Sequence, residues 1–292
     1  MIGIGAARSS HCSLVGGASC NRDRVRQPHS FGDLYMPFDF KHSRVLVAGG
    51  SRGIGRAIAL NFAAAGADVA ICARGADALE ATRAELARHG GRVHAMGCDL
   101  ADANAIAAWV PAAAEALGGI DVLVNNASGF GMGDDEDGWA ASLAVDVMAM
   151  VRCSRAALPW LLKSAEAGVA GGANIIHLSS ISAVRPSIRA APYAAVKAAM
   201  NSYTGSQAAM WCRQGLRVNA IAPGSIEFPG GVWEQRKTDN PALYERTRNS
   251  IPAGRMGTPD EIAEVALFPA SPHARWINGQ VLTVDGGQLL GA

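Results

Sequence analysis

From Arg44 onward, short apolar runs alternate with longer stretches of helical period. The runs lie at residues 44–48 ("RVLVA"), 68–72, 92–96, 121–124, 173–178, 217–221 and 280–284. Helix patterns fall between them at about 54–65, 77–89, 103–117, 139–163 and 191–213. Strands of near-continuous apolar character, each followed by a helix, predict a parallel sheet buried on both faces. Right-handed crossovers then give a doubly wound α/β fold. The expected architecture is a single domain over residues 41–292, with seven parallel strands and helices on both faces. Residues 228–257 form the longest stretch outside the alternation and are the candidate substrate loop.

The first 40 residues lack this pattern. They are rich in arginine and small residues, without the apolar core of a secretory signal. The expectation is a disordered tail, or an upstream start with the natural start at Met36. The "GIG" at Gly3–Gly5 follows no strand, and Arg8 stands where a dinucleotide fingerprint needs its third glycine.

Composition narrows the function. The chain has 292 residues, 49% of them hydrophobic, and a net charge of +1, which supports a sizeable core and gives no footprint for nucleic acid. No apolar run is long enough to span a membrane. The six cysteines form no CxxC pair and no zinc-ligand spacing, so no metal is expected. That usage fits a reducing compartment, and the expected location is cytoplasmic.

The stretch "VAGGSRGIGRA" links the first strand to the first helix. Gly49, Gly53 and Gly55 allow a tight turn, close backbone approach to a pyrophosphate, and packing of helix on sheet. Gly49, Ser51, Arg52, Gly53, Ile54 and Gly55 are therefore candidate cofactor contacts in a Rossmann-like site. The second strand ends in Ala73 and Arg74, without the carboxylate that binds the ribose hydroxyl of NAD. Arg52 and Arg74 would suit the 2′-phosphate of NADP(H), because guanidinium groups fork onto phosphate oxygens. Two solvated surface arginines are the alternative.

With these pieces in place, the chain resembles the short-chain dehydrogenase/reductase family in its single-domain branch, 3-oxoacyl-thioester reductases being the nearest in style. The resemblance covers about residues 41–292. It rests on "AGGSRGIG" (48–55), "CDL" (98–100), "NNAS" (125–128), "SSIS" (179–182), "YAAVK" (193–197), "APGSI" (222–226) and "NGQVLTVDGG" (278–287). It implies that Tyr193 is the general acid/base and also contacts the cofactor. Lys197, four residues on and so on the same helix face, eases proton loss from it and holds the nicotinamide ribose. A free phenol has a pKa of about 10, so such help is needed near neutrality. The resemblance places Ser180 on the substrate oxygen, Asp99 and Leu100 beside the adenine, Asn126 and Ala127 along the cofactor, and Pro223, Gly224 and Ile226 at the nicotinamide end. His177 reads as a core or edge histidine, not a member of a catalytic triad.

Four positions depart from the family pattern. Ala48 replaces a threonine. Ser128 replaces a glycine where the backbone nears the cofactor. Asp146 replaces an asparagine of the proton relay and would pair with Lys197, shifting the pH optimum. Phe228 replaces a threonine that binds the carboxamide. The resemblance implies an NADP(H)-dependent enzyme interconverting a ketone or 3-oxoacyl group and an alcohol, assembled as a homotetramer or homodimer. Its partners are a small carbonyl or alcohol substrate, and no nucleic acid or membrane. A steroid, sugar or small-ketone substrate fits equally well. Arg236, Arg246 and Arg248 are open to two readings, contacts to a substrate phosphate or a solvated face. Trp233 and Tyr244 are likewise open, as substrate contacts or as docking for the loop. The competing reading, motivated by Ser128, Asp146 and Phe228, is a catalytically impaired nucleotide-binding sensor or scaffold.

Overall fold

The computed structural model describes residues 38–169 and 171–291; the expectations for the N-terminal tail lie outside them. The seven strands are β1 (Arg44–Ala48), β2 (Asp68–Ala73), β3 (Val93–Gly97), β4 (Val122–Asn125), β5 (Ala173–Leu178), β6 (Leu216–Pro223) and β7 (Val281–Val284). They form one all-parallel sheet in the order β3-β2-β1-β4-β5-β6-β7. The central strands β5 and β6 are buried at every position, whereas the edge strand β7 alternates between exposed and half-buried. This is why the central strands read as unbroken apolar runs rather than as alternation.

The helices are α1 (Gly53–Ala64), α2 (Ala76–Leu86), α3 (Ala103–Leu117), α4 (Glu136–Ser142), α5 (Met150–Glu166), α6 (Ala191–Trp211), α7 (Val232–Asp239), α8 (Pro241–Ser250) and α9 (Pro259–Ala270). One face of the sheet carries α1 packed with α2 and α9; the other carries α3, α5 and α6. Trp109, Leu117, Leu123, Leu161 and Ile175 are fully or almost fully buried between α3, α5 and the sheet. Burying such side chains contributes about 1.5–3 kcal/mol each. At the opposite end from the strand C-termini, the Arg44 guanidinium bonds both carboxylate oxygens of Asp121, which also accepts from Ser164. This fixes β1 against β4 and α5.

The helix expected over 139–163 is interrupted. Between α4 and α5 the chain runs as a π-helix over Leu143–Ala149, with Asp146 at its centre and buried. π turns are rare and occur frequently at functional sites. The stretch 228–257 is also more ordered than a loop, since α7 and α8 occupy most of it. Tyr244 of α8 packs with Ile251, Met256 and Trp233, and its hydroxyl donates to Glu227 Oε2 at 2.7 Å. Tyr244 therefore docks this helical pair on the body. The four described cysteines are free thiols; Cys72, Cys98 and Cys153 are buried and Cys212 is exposed. No described helix is long and apolar enough to cross a membrane.

Candidate active site

Parallel pairing aligns Ala48 with Asn125, Asn125 with His177, and His177 with Ala220. The segments after β1, β4, β5 and β6 therefore emerge side by side. Strand order reverses between β1 and β4, and the crevice at such a switch point is where ligands bind in this architecture. Most of the expected site residues stand along this edge: the glycine loop, Arg74 after β2, Asp99 and Leu100 after β3, Asn126–Ser128 after β4, Ser180 after β5, Pro223 at the end of β6, and Gly224 and Ile226 just past it.

The glycine loop has the features of a phosphate cradle. Gly49 has φ +83°, and a Cβ there would lie 3.1 Å from that of Ala127. A Cβ on Gly55 would fall 2.1 Å from Gly49 O and 2.3 Å from Asn126 Nδ2. The Asn126 amide donates to that same carbonyl at 2.7 Å, tying the loop to β4. No described side chain caps α1, which leaves its first N–H groups available to an anion. Arg52, the residue preceding α1, and Arg74 are both exposed and make no ion pair among the described residues. Asp99 is exposed, its carboxylate accepting from Ala101 N–H, and Leu100 is buried. Gly224 N–H donates to Val284 and Ser225 N–H to Gln288, which hold the turn after β6 against the C-terminal segment. These residues fit a dinucleotide. One feature narrows the cradle: the Phe228 ring lies so close to Gly53 that a Cβ there would be 2.6 Å from it.

Tyr193 and Lys197 occupy successive turns at the start of α6, which Pro192 opens. Lys197 is only 1% exposed. Its ammonium donates to Leu178 O at 2.7 Å, stands 3.0 Å from Asp146 Oδ1, and lies 5.5 Å from the Tyr193 ring centroid. The Asp146 oxygen is in ion-pair range but out of line for a hydrogen bond, whereas its other oxygen accepts from Gly129 N–H at 2.9 Å. The expected pairing of Asp146 with Lys197 is thus present. Ser180 lies two residues past β5, and its hydroxyl accepts from Ser182 N–H in a short turn packed on α6. Ser179 is engaged elsewhere, donating to Asn201 at 2.6 Å. His177 is fully buried between Gln207 at 2.7 Å and the Asn125 amide at 3.2 Å; desolvation pushes its pKa down to about 4. It is a neutral core histidine.

Phe130 was not legible as a site residue. Its ring stacks on Tyr193 at 5.6 Å between centroids, tilted by 11°. Ser128 contributes to this arrangement, because its hydroxyl accepts from Phe130 N–H at 3.2 Å. A phenylalanine in a glycine-flanked loop at a strand C-terminus was the available signal. Of the three arginines after Phe228, Arg248 pairs with Glu245, Arg236 lies over the Trp233 ring, and Arg246 is exposed.

A family model described as Enoyl-(Acyl carrier protein) reductase matches residues 48–288. The isoepoxydon dehydrogenase of Penicillium expansum is 36% identical, over 88% of this chain and 99% of its own. The chain belongs to the short-chain dehydrogenase/reductase family. A short-chain dehydrogenase of Burkholderia cenocepacia in complex with NADP is 35% identical, with a TM-score of 0.76 over 86% of this chain and 99% of that one. A 7α-hydroxysteroid dehydrogenase complexed with NADH and a 7-oxo bile acid is 31% identical, with a TM-score of 0.78 over 85% of this chain and 95% of that one. Solved relatives of this chain thus bind nicotinamide cofactors of both kinds. The protein is an oxidoreductase of a family acting on hydroxyl and carbonyl groups.

Proposed function

We propose that the protein is an NADP(H)-dependent reductase that converts a ketone or 3-oxoacyl group to an alcohol, with Tyr193 as the general acid. The observation that carries this reading is the arrangement of Tyr193 beside the buried, charged Lys197 at the C-terminal edge of the sheet, next to an uncapped glycine-loop helix. When bound, the reduced nicotinamide supplies a hydride to the carbonyl carbon. Tyr193 gives its phenolic proton to the carbonyl oxygen, and Lys197, held by Leu178 O and Asp146, stabilises the negative charge left on the tyrosine. Ser180 is assigned a hydrogen bond to the substrate oxygen. Asn126, Ala127 and Ser128 line the cofactor, and Pro223, Gly224 and Ile226 border its nicotinamide end.

The 2′-phosphate preference is assigned to Arg52 and Arg74, two exposed guanidiniums, the second just after β2 where an NAD site carries an acid. Fluorescence titration with NADPH and NADH tests it. Binding of NADPH at least about tenfold tighter supports the assignment, since a hydrogen bond to a charged group contributes about 1.5–3 kcal/mol. Tighter NADH binding overturns it and leaves the oxidoreductase standing. The Phe228 ring against Gly53 favours a second reading, a nucleotide-binding protein with impaired turnover. Failure to reduce any of a panel of ketones while NADPH binds would favour that reading.

A further inference from the structure

We infer that Phe130 is a specificity-determining residue, a fixed aromatic platform that favours flat ring ketones over flexible acyclic ones. The inference rests on the carbonyl-reduction reading above. Phe130 has φ +49°, a left-handed conformation that is a genuine outlier for a bulky side chain and persists only where the surroundings over-determine it. Three consecutive N–H groups supply that determination. Gly129 N–H donates to Asp146 Oδ2 at 2.9 Å, Phe130 N–H to Ser128 Oγ at 3.2 Å, and Gly131 N–H to Ser142 Oγ at 3.1 Å. The loop is also clamped from behind, because a Cβ on Gly129 or Gly131 would fall 2.2 or 2.0 Å from a carbonyl of α4. Two of the departures from the family pattern, Ser128 and Asp146, thus share one local task.

The pinned backbone lays the Phe130 ring against the candidate acid Tyr193, yet leaves the residue 49% exposed. An aromatic ring on a fixed backbone loses little freedom when a ligand stacks on it, and aromatic pairs prefer such offset geometry. A carbonyl that reaches the Tyr193 hydroxyl brings its substituents alongside this ring. A planar ring meets it face on, whereas a flexible chain gains only edge contacts.

The test compares acetophenone with methyl hexyl ketone, which have the same number of carbons, at saturating reduced cofactor. The variants are Phe130→Leu, which keeps bulk without a π face, and Phe130→Gly, which suits the left-handed backbone and so preserves the fold. The wild type is expected to prefer acetophenone. Both variants should raise its KM roughly three- to tenfold, with kcat for acetophenone, both constants for methyl hexyl ketone, and cofactor affinity each held within about twofold. Equal losses on both ketones, or an unchanged preference, would overturn the inference. Turnover of methyl hexyl ketone alone by the wild type would overturn it too, while leaving carbonyl reduction standing. Turnover of neither ketone ends the inference as well; absence of nicotinamide binding is the separate failure that ends the underlying reading.

Discussion

Replacing Asp146 removes the anion beside a buried lysine. Lys197 and Asp146 are 1% and 0% exposed, with 3.0 Å between ammonium and carboxylate. At an effective dielectric of about 20, opposite charges at that separation attract by about 5 kcal/mol, an upper bound on what can be lost. Breaking a buried pair by deleting one partner costs about 3–5 kcal/mol. Asp146→Asn keeps the shape and an acceptor for Gly129 N–H, so its cost belongs at the low end, about 3 kcal/mol. For a domain of this size that is a fall in Tm of roughly 6–12 °C. Asp146→Ala also orphans Gly129 N–H and should fall further, by about another 1–3 kcal/mol. Calorimetry of the two variants without cofactor measures both. The pH–rate profile of Asp146→Asn should also move to lower pH, because an uncompensated ammonium stabilises the tyrosine oxygen anion more strongly. A Tm within about 2 °C of wild type, together with a superimposable pH–rate profile, would show that the ion pair neither stabilises the fold nor sets the tyrosine's proton balance.

Other outcomes follow from the same geometry. Gly55→Ala forces its Cβ onto Gly49 O and Asn126 Nδ2, both anchored by their 2.7 Å bond; the urea midpoint should fall by the equivalent of about 1–3 kcal/mol, and NADPH Kd should rise at least about tenfold. Unchanged affinity would mean that the loop does not hold the cofactor. His177 is neutral in the folded state with a pKa of about 4, whereas an unfolded histidine titrates near 6.5. The unfolded chain binds more protons between those values, so stability is lost as pH falls through that window, by about 3 kcal/mol at most. Urea denaturation at pH values across the window should show this slope in wild type and a shallower one in His177→Gln; equal slopes would contradict it.

The sheet was legible because its central strands are buried on both faces, which leaves uninterrupted apolar runs such as "ANIIHL" for β5. Helix ends shifted by only a residue or two where glycine or proline punctuates them, as at Gly53 and Pro192. The π-helix was not legible. Its extra residue per turn leaves composition unchanged, yet it centres on the turn that presents Asp146 to Lys197. The pairing itself was expected from the family resemblance, which puts Asp146 at the relay position beside Lys197. Residues 228–257 lacked apolar periodicity because α7 buries none of its residues and α8 buries only Tyr244, so two helices read as a loop. Phe130 was missed for a different reason. Its orientation follows from three side-chain acceptors, Asp146, Ser128 and Ser142, two of them more than ten residues away, and no local pattern encodes that.

In the proposed reaction, Tyr193 delivers the proton during carbonyl reduction. Tyr193→Phe removes one oxygen and keeps the ring that stacks on Phe130 and faces Lys197. NADPH oxidation with a ketone that the wild type reduces should fall by about 10²–10⁴-fold in this variant, while NADPH still binds. Wild-type turnover in Tyr193→Phe would contradict the account and move the acid to another group.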